Sequence, residues 1–329
     1  MSQLSSYFSD LTTKTGQGWN RFWFTASVSP SLGILRIATG VVALVYWLSF
    51  LPGLALWFGP AGLVPMETLR ALVGSETQQV YRLSWFYFSE SPTVIAMIYF
   101  AGLLAILAHT VGIGGRWSTL IAWTFVLSAV HRLPMMAGLM EPVLTMSLLY
   151  LAIGPTTAFY SLDRWLKKRR GKDVPPKSSS LTTLALRLVQ LHTLFFYVVM
   201  ASTQLRHTTW WQGEALWTML ASSETRIADL TFLGNYPFVL NFATQGILLF
   251  EILFPILIWN RTLRPLLLML SIVFWLIIGL ATGMPLYALL MASLGFAFAA
   301  PVGEAAGSPS SDDSAEVNAS DETVAASAS

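Results

Sequence analysis

The chain has 329 residues, 54% hydrophobic and only 11% charged, with a formal net charge of +2 and a mean hydropathy of +0.60. That balance is too apolar for a water-soluble domain, and the absence of cysteine excludes disulfides, thiol chemistry and thiolate metal sites. Long continuous apolar runs exclude a β-barrel and point to an all-α, polytopic helical bundle in a membrane.

Residues 1–30 form a cytoplasmic or interfacial N-terminus. They lack a short apolar core followed by a small-residue cleavage site, so no cleavable signal peptide is expected. Gly16–Phe24 carries Trp19, Phe22, Trp23 and Phe24 beside Arg21 and reads either as a short interfacial helix or as a disordered tail with anchoring aromatics. A transmembrane domain over residues 31–301 follows. Its predicted spans are Leu32–Leu51, Thr93–Val111, Ser118–Val130, Met136–Ile153, Thr182–Ala201, Pro237–Trp259, Pro265–Ala281 and Pro285–Ala300, about eight in all. The third is short and reads as tilted or partly interfacial.

Lysine and arginine set the orientation, because they are retained on the cytoplasmic side. With the N-terminus inside, inner segments hold Lys14, Arg21, Arg116, Arg164, Lys167, Lys168, Arg169, Arg170, Lys172, Lys177, Arg261 and Arg264. Outer segments hold Arg70, Arg82, Arg132, Arg206 and Arg226, and twelve against five predicts an N-in, C-in topology. The basic cytoplasmic loop 161–180, with Pro175, Pro176 and a serine run, reads as a flexible hinge dividing four helices from four. Its charge is topological and lipid-facing; no aromatic interleaving supports a nucleic-acid site. Residues 302–329, rich in Ala, Ser, Asp and Glu, read as a disordered acidic cytoplasmic tail.

Within this apolar frame Glu251 stands out, inside the run Ile247–Trp259. A charge at bilayer depth costs several kcal/mol unless partnered or functional. Counting about 1.5 Å per residue from the cytoplasmic ends puts Arg36 about 6 Å deep, Arg187 about 8 Å and Glu251 about 12 Å, with His109 near the inner end of the second span. A structural ion pair of Glu251 with Arg187 or Arg36 is therefore expected, although both arginines alone would snorkel to lipid phosphates. Glu251 also reads as a proton- or ligand-handling carboxylate, or as a neutral acid bonded to a backbone carbonyl, such as its own, which Pro255 frees.

The fifth span carries a polar stripe, since Thr183, Arg187, Gln190, Tyr197 and Gln204 fall within about a 100° arc and His192 points the other way. The stripe should face the bundle interior, as a packing seam or a substrate path. An outer cluster comprises His131, Arg132, Glu141 and Pro142, then Arg206, His207, Trp210, Trp211, Gly213, Glu214 and Trp217. The tryptophans suit an aromatic belt, or a loop folded back over a cavity mouth that Phe58–Glu90 would help to cover. No HExxH, GxSxG or phosphate-binding glycine loop occurs, and four scattered histidines make no metal site, so no cofactor is identified.

Several segments together resemble the horizontally transferred transmembrane (HTTM) domain, related to the membrane part of vitamin K-dependent gamma-carboxylases. They are Leu35-Arg36-Ile37 with Gly40, the stretch Phe58 to Pro65, Ser128 to Arg132 followed by Pro134, and Ser161-Leu162-Asp163 after Gly154-Pro155. The strongest stretch runs from Arg187 to Gln190 through Tyr197 to Trp210, Gly213 and Ala215-Leu216, then Glu251 to Pro255. The resemblance spans roughly residues 30–300 and implies a bacterial inner-membrane location and this architecture. In the carboxylases a lysine-rich turn follows the tyrosine of this fifth helix; here the stretch reads Ser202-Thr203-Gln204-Leu205, without a lysine, and no large lumenal domain follows. Vitamin K-dependent carboxylation is therefore not expected.

The leading reading is a membrane protein of the HTTM type, with a polar intramembrane pocket for a lipid-like or quinone-like ligand. Arg187, Gln190, Tyr197, Gln204, Trp210 and Trp211 are the candidate ligand contacts. The alternative is a membrane enzyme acting on a lipid-soluble substrate, with Glu251 or Glu141 as acid/base and Arg132 or His131 orienting the substrate. A small-solute transporter switching on Glu251 and Arg187 ranks last, because neither inverted repeats nor paired broken helices are visible.

Overall fold

The structure, a computed structural model, describes residues 2–60, 62–73, 83–172, 175–222 and 227–299. The predicted acidic tail 302–329 lies outside the described residues, as do Ala61, Arg82 and Arg226. Among the described residues every regular element is helical, and the only extended pairing is an isolated antiparallel bridge between Ser27 and Ser179.

In chain order the α-helices are α1 (Ser2–Phe24), α2 (Ser31–Leu48), α3 (Leu54–Phe58), α4 (Met66–Val73), α5 (Pro92–Val111), α6 (Gly115–Arg132) and α7 (Met140–Ile153). There follow α8 (Leu162–Arg169), α9 (Ser180–Gln204), α10 (Thr208–Trp211), α11 (Ala215–Ala221), α12 (Pro237–Leu257), α13 (Arg264–Thr282) and α14 (Pro285–Leu294). The punctuation is chemical. Proline opens α5, α12 and α14, where its missing N–H is no loss. Ser161 and Ser179 cap α8 and α9 by accepting from the amides of Arg164 and Leu181. Gly112, at φ 81°, ends α5 in the left-handed region.

A helix occupies each of the eight predicted segments, and five runs are long and apolar enough to cross a membrane: Ser31–Phe58, Pro92–Val111, Ser180–Gln204, Pro237–Leu257 and Arg264–Thr282. Met140–Ile153 and Pro285–Phe298 are shorter apolar helices. Large apolar side chains such as Leu104, Phe195, Phe238, Phe242 and Met269 are exposed on the outer faces of these helices, as suits contact with lipid. The chain is thus an all-helical, multi-pass membrane protein. Residues 2–24 form one helix, longer than the interfacial segment predicted at Gly16–Phe24.

Two groups of helices meet along one seam. In the first, α2 packs on α5 and α7, and α6 lies between α5 and α7; in the second, α9 packs on α12 and α13 packs on α14. Contacts of α9 with α7 and of α14 with α2 join the groups. Close approach rests on small residues. A Cβ on Gly102 would stand 2.4 Å from the Trp47 ring, and one on Gly40 would stand 2.9 Å from the Cα of Thr110. Trp47 in turn stacks on Tyr99, with centroids 5.5 Å apart, and the two side chains bond reciprocally to each other's backbone carbonyls.

Candidate functional site

The site lies in the second group. A cavity of about 260 Å³ opens between α9, α12, α13 and α14, with α11 and the start of α7 at its rim. It exceeds the roughly 150 Å³ that suffices for benzene in an apolar protein interior. Its wall is largely apolar: Met200, Met219, Met284, Ile247, Ile278, Leu139, Phe274, Trp210 and Trp275. Into this wall are set Glu251 from α12, Gln204 from the end of α9 and Tyr287 from α14, with Ser222 and Thr282 at helix ends.

These polar groups are buried and incompletely satisfied. Glu251 is 3% exposed, Gln204 6% and Tyr287 6%. Gln204 is in hydrogen-bonding contact with the Glu251 carboxylate, and Tyr287 stands within electrostatic reach of it. Even so, Glu251 Oε2, Gln204 Oε1 and Tyr287 Oη each lack a hydrogen-bond partner. Leaving such an atom unpaired costs about 1–3 kcal/mol, and three of them belong to residues that line this one cavity.

The supporting residues explain how the wall is held. Tyr197, 1% exposed, sits behind it: the Trp275 indole N–H donates to its hydroxyl at 2.7 Å, and Ser271 Oγ lies 3.4 Å away. That bond fixes the Trp275 ring, which meets Tyr287 edge-on at 5.3 Å between centroids. The segment after α9 folds back as a lid. Gln245 donates to the Trp210 carbonyl at 2.9 Å, and Thr244 donates to the Gly213 carbonyl at 3.0 Å. Gly213 has φ 76° and packs so closely on Asn241 that a Cβ would come within 2.8 Å of it. Trp210 thereby turns inward onto the cavity, while Trp211 is 63% exposed and bonds only to the Leu205 carbonyl.

The expected ion pair does not form. Arg187 donates to Gln190 Oε1 at 3.0 Å and to the Phe22 carbonyl at 3.4 Å, and its guanidinium lies 4.2 Å from the Phe22 ring centroid and 5.6 Å from that of Trp259. Arg36, fully buried, donates to the carbonyls of Tyr160 at 2.6 Å and Thr156 at 3.3 Å. The physical reason is register. Glu251 meets Gln204, which lies 17 residues beyond Arg187 on the same helix, or roughly 25 Å along its axis. Depth counted from span ends assumes that neighbouring helices start in one plane, and these do not.

The outer candidates hold loops. Arg132, 1% exposed, donates to the carbonyls of Val64 at 2.8 Å and Gly59 at 3.4 Å, pinning the Phe58–Pro65 stretch. His131 Nδ1 lies 2.9 Å from the Leu83 carbonyl, and Glu141 accepts from the Gly138 amide at 2.8 Å, ahead of its own helix. None of the three lines the cavity, nor do Arg187, Gln190, Tyr197 or Trp211; Glu251, Gln204 and Trp210 do. Gln190 instead donates to the Ala297 carbonyl at 2.7 Å. Sequence reasoning missed Tyr287 and Trp275. A signal for Tyr287 existed: it is the one phenol in the apolar run Pro285–Leu294, which invites the same question as Glu251. No group of metal-binding side chains occurs among the described residues. No protein-family model, curated protein or solved structure significantly matches the chain.

Proposed function

We propose that this is a ligand-binding membrane protein of the HTTM type, lodged in a bacterial inner membrane, whose α9–α12–α13–α14 cavity takes a lipid-like molecule. Eight crossings with both termini inside fit the helix at each predicted segment and the basic α8 on the connection between α7 and α9. In that orientation α9 and α13 end, and α7 and α14 begin, at the outer face, where the cavity rim lies. The observation that carries the reading is that three residues lining one apolar cavity, Glu251, Gln204 and Tyr287, each hold a buried polar atom without a hydrogen-bond partner. An apolar wall with a few placed polar groups is the ordinary build of a small-molecule site.

The lysine-free turn at Ser202–Leu205 gives no base for carboxylation. An acid/base role for Glu251 on a lipid-soluble substrate is the second reading, favoured by its unpartnered Oε2 at the cavity wall. A Glu251–Arg187 transport switch lacks its geometry. The test is mass spectrometry of apolar molecules that co-purify with the full chain, beside Ile247→Trp, which fills the cavity. A molecule retained by the wild type and lost from the variant is expected. Identical retention by both proteins would overturn the reading.

A further inference from the structure

The unpaired atoms also constrain what the ligand is. Gln204 Oε1 can only accept a hydrogen bond, an ionised Glu251 can only accept, and the Tyr287 hydroxyl can do either. A quinone or ester carbonyl offers no donor and would leave Gln204 unpaired. A single alcohol donates once. A primary ammonium donates three times, which matches in number the unpaired atoms able to accept on three residues lining one cavity.

Charge points the same way. Among the described residues no lysine, arginine or histidine lines the cavity, so none of them gives an ionised Glu251 a counter-ion there. A cation brought by the ligand would neutralise it where water cannot. Trp210, Trp275 and Phe274 supply aromatic walls of the kind that attract an ammonium group, and methionines supply adaptable apolar contact for its body. We propose that the cavity binds a lipophilic primary amine, its ammonium held by Glu251, Gln204 and Tyr287 and its hydrocarbon or aromatic body lying among the methionines. This rests on reading the cavity as a ligand site.

The test uses the full chain in detergent and two probes with one body, 2-phenylethylamine and 2-phenylethanol, measured by equilibrium dialysis at neutral pH. The amine is expected to bind at least about tenfold more tightly than the alcohol. Glu251→Gln should erase that preference. Gln204→Leu, a milder second variant, should weaken the amine by about threefold. Equal or tighter binding of the alcohol would overturn the amine and leave a ligand site intact. Amine binding that survives both substitutions unchanged would overturn it too, as would failure of the wild type to bind the amine. The broader reading fails separately, through unchanged lipid retention in Ile247→Trp.

Discussion

Arg36 and Glu251 are both charged, both almost wholly buried and both inside apolar helices, yet they are treated oppositely. Arg36 is enclosed by the loop that follows α7. Two carbonyls take its guanidinium, and Gly112 packs so tightly that a Cβ there would overlap its Nη1. Asp163, two residues past Ser161, completes the corner by accepting from the Gly114 amide at 2.9 Å. Glu251, which like Arg36 keeps one unpaired atom, has Gln204 as hydrogen-bonding neighbour and lines a cavity. Arg132 repeats the Arg36 arrangement at the other end of the bundle, on the carbonyls of Val64 and Gly59. Buried arginines here tie loops to helices. The buried carboxylate ties no loop, and it faces a neighbouring helix and a cavity instead.

The comparison breaks most visibly at Arg36. Arg36→Met removes the donor from the carbonyls of buried Thr156 and of Tyr160 and should cost about 3 kcal/mol, read as a lowered Tm in detergent. Arg36→Lys should recover only part of this, because one ammonium replaces a planar fork with five donors. A Tm unchanged by Arg36→Met would mean that the corner is held by its backbone bonds alone. Next in size is Gly102→Ala in the first helix group, far from the cavity. Its Cβ would meet the Trp47 ring at 2.4 Å, so overpacking should cost about 2 kcal/mol without changing ligand retention.

How much of this was legible in the sequence depends on the kind of signal. Helix positions were, because runs of about 20 apolar residues and prolines at helix starts are local features. So was the inward face of α9: Thr183, Gln190, Tyr197 and Gln204 are all buried. The division of labour along that stripe was not. Arg187 and Gln190 serve the inner end, Tyr197 braces Trp275, and Gln204 alone reaches the cavity. Which rung of one helix meets which rung of another is a tertiary property, set by tilt and by offsets between helix ends. The Arg187–Glu251 pair failed on that point. Tyr287 and Trp275 escaped notice because their importance comes only from facing Glu251 across a packed interface.

A smaller effect is expected at Arg187, which stacks on Phe22 and Trp259 and so holds α1 to the bundle. Arg187→Lys keeps the charge but loses the planar stack, and should cost about 1 kcal/mol. Faster proteolysis within α1 at unchanged ligand retention would register it. If ligand retention fell as well, the two ends of α9 would be coupled, and the separation of anchoring from binding along that helix would need revision.

The smallest stability effect, and the sharpest contrast with Arg36, belongs to Glu251→Leu. Removing a carboxyl that has an unpaired oxygen removes a desolvation cost, whereas removing Arg36, although its own Nε is unpaired, strands the two carbonyls it serves. Leucine also extends an apolar wall already made of Met200, Met219 and Ile247. The apo protein should therefore change by less than about 1 kcal/mol and even gain stability, while its retained ligand is lost. Glu251→Gln keeps the shape and some hydrogen bonding, so it should match the wild type in Tm yet bind a charged amine poorly. A large loss of stability in the leucine variant would show that Glu251 has structural work after all, and would place it beside Arg36 rather than opposite it. If leucine proves at least as stable there, the carboxylate has no structural reason to be kept, and the proposed ligand supplies the remaining one.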